Sequence, residues 1–240
     1  NVDLHGRDFA QCNFFGAALR GANLCGADLR NADLSNAVVA EADLTNTNLQ
    51  GACLYGVNLQ GRCLALHDLS YSNLATADLR NADLMLANLD HANLGGCLLE
   101  GANLMGVDLC GVDFSDANLS GTDFRQADLS GAKFTGACLD RAKFAEADLS
   151  STSFQGNDMS HSDFSWTDLT GSMWSGCTIV RTLFHGTVLS GADFEAALLQ
   201  DVNFQDLNLS DTNFSEATLA AVDLRGAVLQ RSHWRGAVIR

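Results

Sequence analysis

The side chains that could do chemistry are few and scattered along this chain of 240 residues. None of the six histidines lies near a cysteine at the spacing of a zinc ligand set. His161 and Asp163 lie close to several serines, but a catalytic triad also needs a cleft that holds a substrate. The glycines recur at regular intervals and form no phosphate-binding loop. We therefore predict a protein without enzymatic activity, metal site or cofactor.

The regular feature of the chain is a unit of five residues. A large apolar residue, here called the core position, recurs every fifth residue from Leu4 to Ile239, 48 times without an insertion. The residue two places earlier, the small position, is Ala at 23 sites, and the residue between them, the outward position, is Asp or Asn at 30 sites. A period of five fits neither a helix nor an ordinary strand. A strict short repeat instead predicts a solenoid.

The glycines indicate how the solenoid turns. Of the 22 glycines, 21 lie two places after a core position, and Gly95 is the exception. This place, the corner position, is where we expect the chain to turn. Four corners close a square, so a coil takes about 20 residues and the chain makes about 12 coils. At about 4.8 Å per coil, the rod is roughly 58 Å long.

This repeat resembles that of pentapeptide-repeat proteins, along all 240 residues. The resemblance implies an all-β fold, a right-handed quadrilateral parallel β-helix with the small and core positions stacked inside. Between Phe114 and Phe214, an aromatic residue recurs at every second core position. On a four-sided coil, this spacing predicts aromatic rings on two opposite walls. No linker or change of composition interrupts the repeat, so we predict one domain over residues 1–240.

Composition limits the partners and the compartment. The formal net charge is −15, with −19 on residues 1–223 and +4 on residues 224–240. An acidic rod repels nucleic acid, so we expect no direct binding to DNA or RNA. No apolar run approaches membrane-spanning length, so we expect no membrane association. No two of the eight cysteines occupy equivalent places in adjacent coils, and Cys12, Cys97 and Cys177 occupy small positions. This placement predicts free thiols and a cytoplasmic protein.

One wall of the coil carries a column of carboxylates, here called the acidic stripe. Its members are outward residues spaced by multiples of 20: Asp8, Asp28, Asp68, Asp108, Asp128, Asp148 and Asp168. One interpretation is that these side chains only make the hydrogen bonds of the repeat's turns. The other is that regularly spaced charge imitates a DNA backbone, since some members of the resembled family bind DNA gyrase or topoisomerase as DNA mimics.

A second candidate surface lies where the repeat is broken. Arg62 and His67 occupy two consecutive small positions, and apolar or aromatic residues occupy outer positions nearby. Exposed apolar patches often mark partner sites. The candidate partner patch comprises Arg62, Leu66, His67, Tyr71, Met85, Leu86 and Met105. The alternative is that single exposed apolar residues are ordinary on protein surfaces.

The last coil gives a third candidate contact. Its core positions would leave Trp234 and Ile239 uncovered, beside Arg231 and Arg235. Solenoids usually need capping. We therefore expect association through this end, as in an end-to-end homodimer, or a cap outside this sequence.

These observations predict a non-enzymatic, rigid repeat scaffold that binds an unknown protein partner. The first alternative is a DNA-mimicking regulator of DNA gyrase or topoisomerase, of the quinolone-resistance type. The second is a structural or effector module whose activity lies in flanking segments. Binding through the stripe would weaken steeply with salt, whereas binding through the patch would depend on its apolar side chains.

Overall fold

The computed structural model describes residues 2–240. Outward residues pair in parallel with the residues 20 places further on, as in Asp108 with Asp128. The chain therefore forms a four-walled β-helix, as predicted. Wall 1 carries outward residues 3, 23 and onward to 223, wall 2 carries 8 to 228, wall 3 carries 13 to 233, and wall 4 carries 18 to 238.

Most bridges are isolated, and longer strands occur only on wall 4 of the described chain. These are β1 (Thr178–Val180), β2 (Leu198–Gln200), β3 (Thr218–Ala220) and β4 (Val238–Ile239). They form a parallel sheet in the order β1-β2-β3-β4, with Thr178 opposite Leu198. Residues 2–240 contain no helix.

Each corner is a tight turn. The amide of Ala27 donates to the carbonyl oxygen of Leu24 at 2.9 Å, and the same bond recurs along the chain. The corner positions have φ between 52° and 73°, in the left-handed region. Glycine adopts this region at no steric cost, which explains its placement. Twenty-six corners nevertheless carry another residue, including the bulky Leu66, Tyr71 and Trp166.

The interior is one continuous hydrophobic core, with its buried residues between Leu19 and Leu219. The predicted aromatic columns are confirmed. Phe114 and Phe134 stack on one wall with ring centroids 5.3 Å apart, and Phe124 and Phe144 stack on the opposite wall at 5.2 Å. Rings from the two walls meet edge to face, as Phe114 does with Phe124 at 5.7 Å. Such offset contacts suit the quadrupoles of the rings.

The stack is not uniform, because some neighbouring coils are unpaired along part of their length. Within the described chain, no bridge joins 38 to 58, 43 to 63, 48 to 68, 88 to 108, 93 to 113, 138 to 158, 183 to 203 or 188 to 208. We call these places open seams. The small positions immediately before the second residue of each pair are Val57, Arg62, His67, Val107, Val112, Asn157, Val202 and Leu207. Val222 is an exception, since the bridge from Asn203 to Asp223 is present.

The open seams have a physical cause in the small position. Its side chain faces the carbonyl of the core residue 23 places earlier, as Thr122 Oγ1 shows by donating to Leu99 O at 2.8 Å. A methyl carbon cannot approach an oxygen so closely and stays at about 3.3 to 3.6 Å. Val107 therefore holds two coils apart where a threonine of similar shape draws them together.

Two coils are lined almost entirely by polar small positions, here called the polar belt. Its members are Thr152, Asn157, Ser162, Thr167, Ser172, Cys177, Thr182 and Thr187, and all are buried. Each donates to a core-position carbonyl. Hydrogen bonding of this kind is what allows polar groups in a core.

Candidate protein-binding surface

The acidic stripe lies along wall 2. All seven carboxylates use Oδ1 to accept the backbone N–H two residues further on, at 2.9 to 3.1 Å. This bond turns the chain out of the wall, so the aspartates have the structural role of the first interpretation. The same bond fixes the direction in which each carboxylate points.

Within residues 2–240, Asp28 is the one stripe carboxylate that forms an ion pair. Arg30 binds both carboxylate oxygens of Asp28, and this hydrogen bonding lowers the pKa of Asp28. Four stripe residues in successive coils are exposed and form no ion pair within residues 2–240: Asp108, Asp128, Asp148 and Asp168. Their Oδ2 atoms accept no hydrogen bond from the described residues.

Pairing with an arginine two residues later recurs elsewhere on the rod, and our sequence reasoning missed it. Arg80 holds Asp78 in this way, and hydrogen bonding from Arg80 lowers the pKa of Asp78. Arg225 lowers the pKa of Asp223 to about 2 by the same contact. The signal was present as the tripeptide Asp-(Leu/Phe)-Arg, found at residues 28–30, 78–80, 123–125 and 223–225. The C-terminal arginines are therefore partly neutralised by neighbouring acids.

The candidate partner patch lies around wall 2 in the fourth to sixth coils. Leu66 and Leu86 lie at the edge between walls 1 and 2 and are 74% and 53% exposed. Tyr71 lies at the edge between walls 2 and 3 and is 61% exposed. It stacks on His91, with ring centroids 4.9 Å apart. Sequence reasoning missed His91, although its spacing of 20 from Tyr71 predicts the contact.

The other patch residues are less accessible than their positions suggested. Met85 and Met105 are half-buried. His67 points inward, where its Nε2 lies 2.8 Å from Leu44 O and its Nδ1 lies 3.2 Å from Ala65 O. Arg62 Nη1 donates to Ala42 O at 3.4 Å. Both residues thus bind the coil before them, and the exposed part of the predicted patch is Leu66, Tyr71 and Leu86. With the neighbouring His91, these residues are called the exposed patch below.

A further exposed aromatic residue, Trp166, lies on the same edge as Leu66 and Leu86. It is 60% exposed and meets His185 edge to face at 4.9 Å. Its indole covers Gly186, where any Cβ would collide with the ring. A tryptophan at a corner is unusual for this repeat, and that deviation was the available sequence signal.

The repeat matches two models of known protein families. A model described as pentapeptide repeats, in 8 copies, matches residues 1–31, 8–38, 26–61, 68–101, 102–141 and 137–172. A model described as a pentapeptide repeat region matches residues 177–240. This chain belongs to the pentapeptide-repeat family. Proteins with this fold are generally structural or interaction modules.

Solved pentapeptide-repeat structures resemble the chain along much of its length. HetL, a pentapeptide-repeat protein involved in heterocyst differentiation regulation in the cyanobacterium Nostoc sp. Strain PCC 7120, is 26% identical, with a TM-score of 0.45, and the match covers 98% of this chain and 90% of HetL. QnrB1, a plasmid-mediated fluoroquinolone resistance protein, is 16% identical, with a TM-score of 0.31, covering 100% and 91%. Rfr23 from the cyanobacterium Cyanothece 51142 is 21% identical, with a TM-score of 0.25, covering 57% and 91%. No curated protein matches the sequence.

The last coil of this pentapeptide-repeat chain is partly uncovered. Trp234 stacks on Phe214 with ring centroids 4.5 Å apart and so extends the aromatic column. Ile239, at the end of β4, is 68% exposed. Arg231 binds the carboxylate of Asp211, and Arg235 is exposed.

Residues 2–240 contain no group of three His, Cys, Asp or Glu side chains that could hold a metal ion. They also contain no helix able to cross a membrane. All eight cysteines are free, and Cys12 is exposed. The thiols of Cys97 and Cys177 are buried, and burial raises the pKa of each to about 12.

Proposed function

We propose that this pentapeptide-repeat chain is a non-enzymatic cytoplasmic scaffold that binds a protein partner along wall 2. The supporting observation is that departures from the repeat coincide in its fourth coil. Arg62 and His67 leave two bridges to the third coil open. Leu66 and Tyr71 place large exposed side chains at left-handed corners of that coil. Local rules of a fold are commonly broken where function requires it.

The rigidity of the rod favours such a role. Its exposed side chains are held by a closed core and by turn hydrogen bonds, so binding would order few additional groups. This preorganisation lowers the entropic cost of association.

The proposal is tested by crosslinking in the cells from which the sequence derives. A photoreactive amino acid replaces Leu86 on the edge of wall 2 or, as the matched control, Asn81 on the edge of wall 4. We expect one protein to be crosslinked from position 86 and not from position 81. Crosslinking from neither position, or from both equally, would contradict a partner site on wall 2.

A second candidate function is regulation of DNA gyrase or another type II topoisomerase by DNA mimicry. The observation in its favour is the run of four exposed, unpaired carboxylates at Asp108, Asp128, Asp148 and Asp168. A supercoiling assay at two salt concentrations tests it, with these four residues changed to Asn in a comparison variant. Inhibition or quinolone protection that the variant loses supports mimicry, and the absence of any effect rejects it.

A further inference from the structure

The exposed patch borders wall 2 on both sides. Leu66 and Leu86 line one edge, while Tyr71 and His91 line the other. Asp68 and Asn88 lie on the wall between them. Trp166 lies four coils beyond Leu86 on the first edge. The exposed patch, here called the apolar bracket, therefore marks one end of a strip of wall 2, and Trp166 marks its other end.

The corner conformation makes these apolar side chains costly. A non-glycine residue in the left-handed region costs about 1 to 2 kcal/mol. Leu66, Leu86, Tyr71 and Trp166 all have φ between 56° and 64°. Leu86 lies across Gly106, where an added Cβ would come within 2.8 Å of Leu86 Cδ2. The chain thus keeps large apolar groups flat on the edge at positions where glycine would be more stable.

The charge of the strip selects the partner. From the bracket to the level of Trp166, wall 2 carries four exposed carboxylates, and Glu146 adds another on its edge. The cations Arg125, Lys133 and Lys143 belong to walls 1 and 3, and Arg125 is held there by Asp123. A partner that covers the apolar bracket must therefore bring positive charge to the rest of the strip.

The spacing of the carboxylates selects the conformation of that partner. Successive coils are about 4.8 Å apart, so the four carboxylates lie at about 0, 4.8, 9.6 and 14.4 Å along the rod. Cations at positions i, i+3, i+7 and i+10 of an α-helix lie at about 0, 4.5, 10.5 and 15 Å. Side chains on one face of an extended strand recur only every ~6.8 Å and would lose register.

We propose that wall 2 binds a cationic amphipathic helix of a partner protein. Its apolar turns pack between Leu66, Leu86 and Tyr71, and its row of lysines or arginines lies over Asp108 to Asp168. The distance from Asp68 to Asp168 is five coils, roughly 24 Å. It corresponds to about 16 helical residues. This inference rests on the proposed scaffold function and names the partner's chemistry.

The test uses two stapled helical peptides of identical composition. In the first, leucines occupy the first turns and lysines occupy i, i+3, i+7 and i+10. In the second, the lysines occupy alternate positions and do not share a face. Fluorescence anisotropy measures the binding of each to the full chain at low and high salt. We expect the first peptide to bind at least about tenfold more tightly.

Variants locate the site without weakening the fold. Changing Leu66, Tyr71 and Leu86 to Gly favours the left-handed corners and should weaken binding of the first peptide by at least about tenfold. Changing Thr76 and Asn81 to Gly alters the corners beside wall 4 and should leave binding of the first peptide unchanged. Changing Asp108, Asp128, Asp148 and Asp168 to Asn should weaken binding of the first peptide by at least about tenfold.

Three results would overturn the helix proposal. These are equal binding of the two peptides, unchanged binding by the triple glycine variant, or no binding of either peptide. The crosslinking experiment separates this failure from failure of the proposed function. A protein crosslinked from position 86 without peptide discrimination would mean that wall 2 binds a partner of another shape, whereas no crosslink would reject the proposed partner site on wall 2.

Discussion

Two regions of the rod replace the usual alanine at the small position, and the effect on coil pairing differs between them. Around the start of the fourth coil, Val57, Arg62 and His67 leave three consecutive bridges open. In the polar belt, eight consecutive replacements leave only the bridge at Asn157 open. The belt side chains are mostly short, and most donate to a carbonyl of the coil before them. The length of the side chain, more than its polarity or its hydrogen bonding, therefore decides whether coils close.

The fourth coil also contains an unsatisfied hydroxyl. Ser72 is buried, and its Oγ has no hydrogen-bond partner within the described chain. Ser162 has the same side chain in the belt and donates to Leu139 O at 3.1 Å. A buried hydroxyl without a partner is destabilising. The fourth coil is thus less well satisfied than the belt.

The largest change in the free energy of unfolding should come from removing the ring of Trp174, which the polar belt encloses. Trp174 is fully buried and donates from Nε1 to Ser172 Oγ at 2.7 Å. Trp174→Ala should lower the free energy of unfolding by about 3 to 5 kcal/mol, because it leaves a large cavity. Urea denaturation measures the loss. Trp234→Ala, at a partly exposed ring, is the control and should lower the free energy of unfolding much less. Equal losses in the two variants would contradict the close packing of Trp174 within the belt.

Breaking a bridge between coils within the polar belt should cause the next largest loss of unfolding free energy. Thr152 Oγ1 donates to Leu129 O at 3.0 Å, and a bridge joins Lys133 to Ser153. Thr152→Val should remove this hydrogen bond, break the bridge and lower the free energy of unfolding by about 2 kcal/mol. Hydrogen exchange should then show faster exchange of the Ser153 amide. Thr152→Ser is the control and should preserve slow exchange. Unchanged exchange in the valine variant would show that valine at a small position does not open a seam.

Closing an open seam should have a smaller effect of opposite sign. Val107 precedes the missing bridge between Asn88 and Asp108. Val107→Thr should let a hydroxyl reach the carbonyl of the preceding coil and raise the free energy of unfolding by about 1 kcal/mol. Thermal melting and protection of the Asp108 amide measure the gain. Destabilisation by threonine would show that another feature holds this seam open.

Low pH should change the stability of the fold least of all. It should act outside the polar belt, because the belt side chains do not ionise at low pH. The pKa of Asp223 is lowered to about 2 by hydrogen bonding from Arg225. Its stabilising contribution is therefore complete above the usual aspartate pKa of about 3.9 and is lost as the pH falls toward about 2. Thermal melting should show less acid sensitivity in Arg225→Gln. Identical pH profiles for the two proteins would rule out this contribution.

Most of the fold was predictable because the repeat is regular. The spacing of Leu24, Leu44 and their successors predicts the coil, and the glycines predict the corners. The aromatic spacing from Phe114 predicts the stacked columns. The candidate surface was only partly predictable: Leu66 and Tyr71 are exposed at corners, but the inward hydrogen bonds of His67 and the half-burial of Met85 depend on neighbouring coils.

The sequence by itself determined the coil, its register and which residues face inward, because each is a local consequence of a repeat that never changes phase. Tertiary structure decided which carboxylates stay unpaired and which coils separate. Asp206 and Asp211 both occupy corner positions, yet only Asp211 binds an arginine of the next coil, Arg231. Val107 and Thr122 have similar shapes, yet only the hydroxyl can meet a carbonyl at 2.8 Å. Contacts between coils, whose residues lie far apart in sequence, make these distinctions.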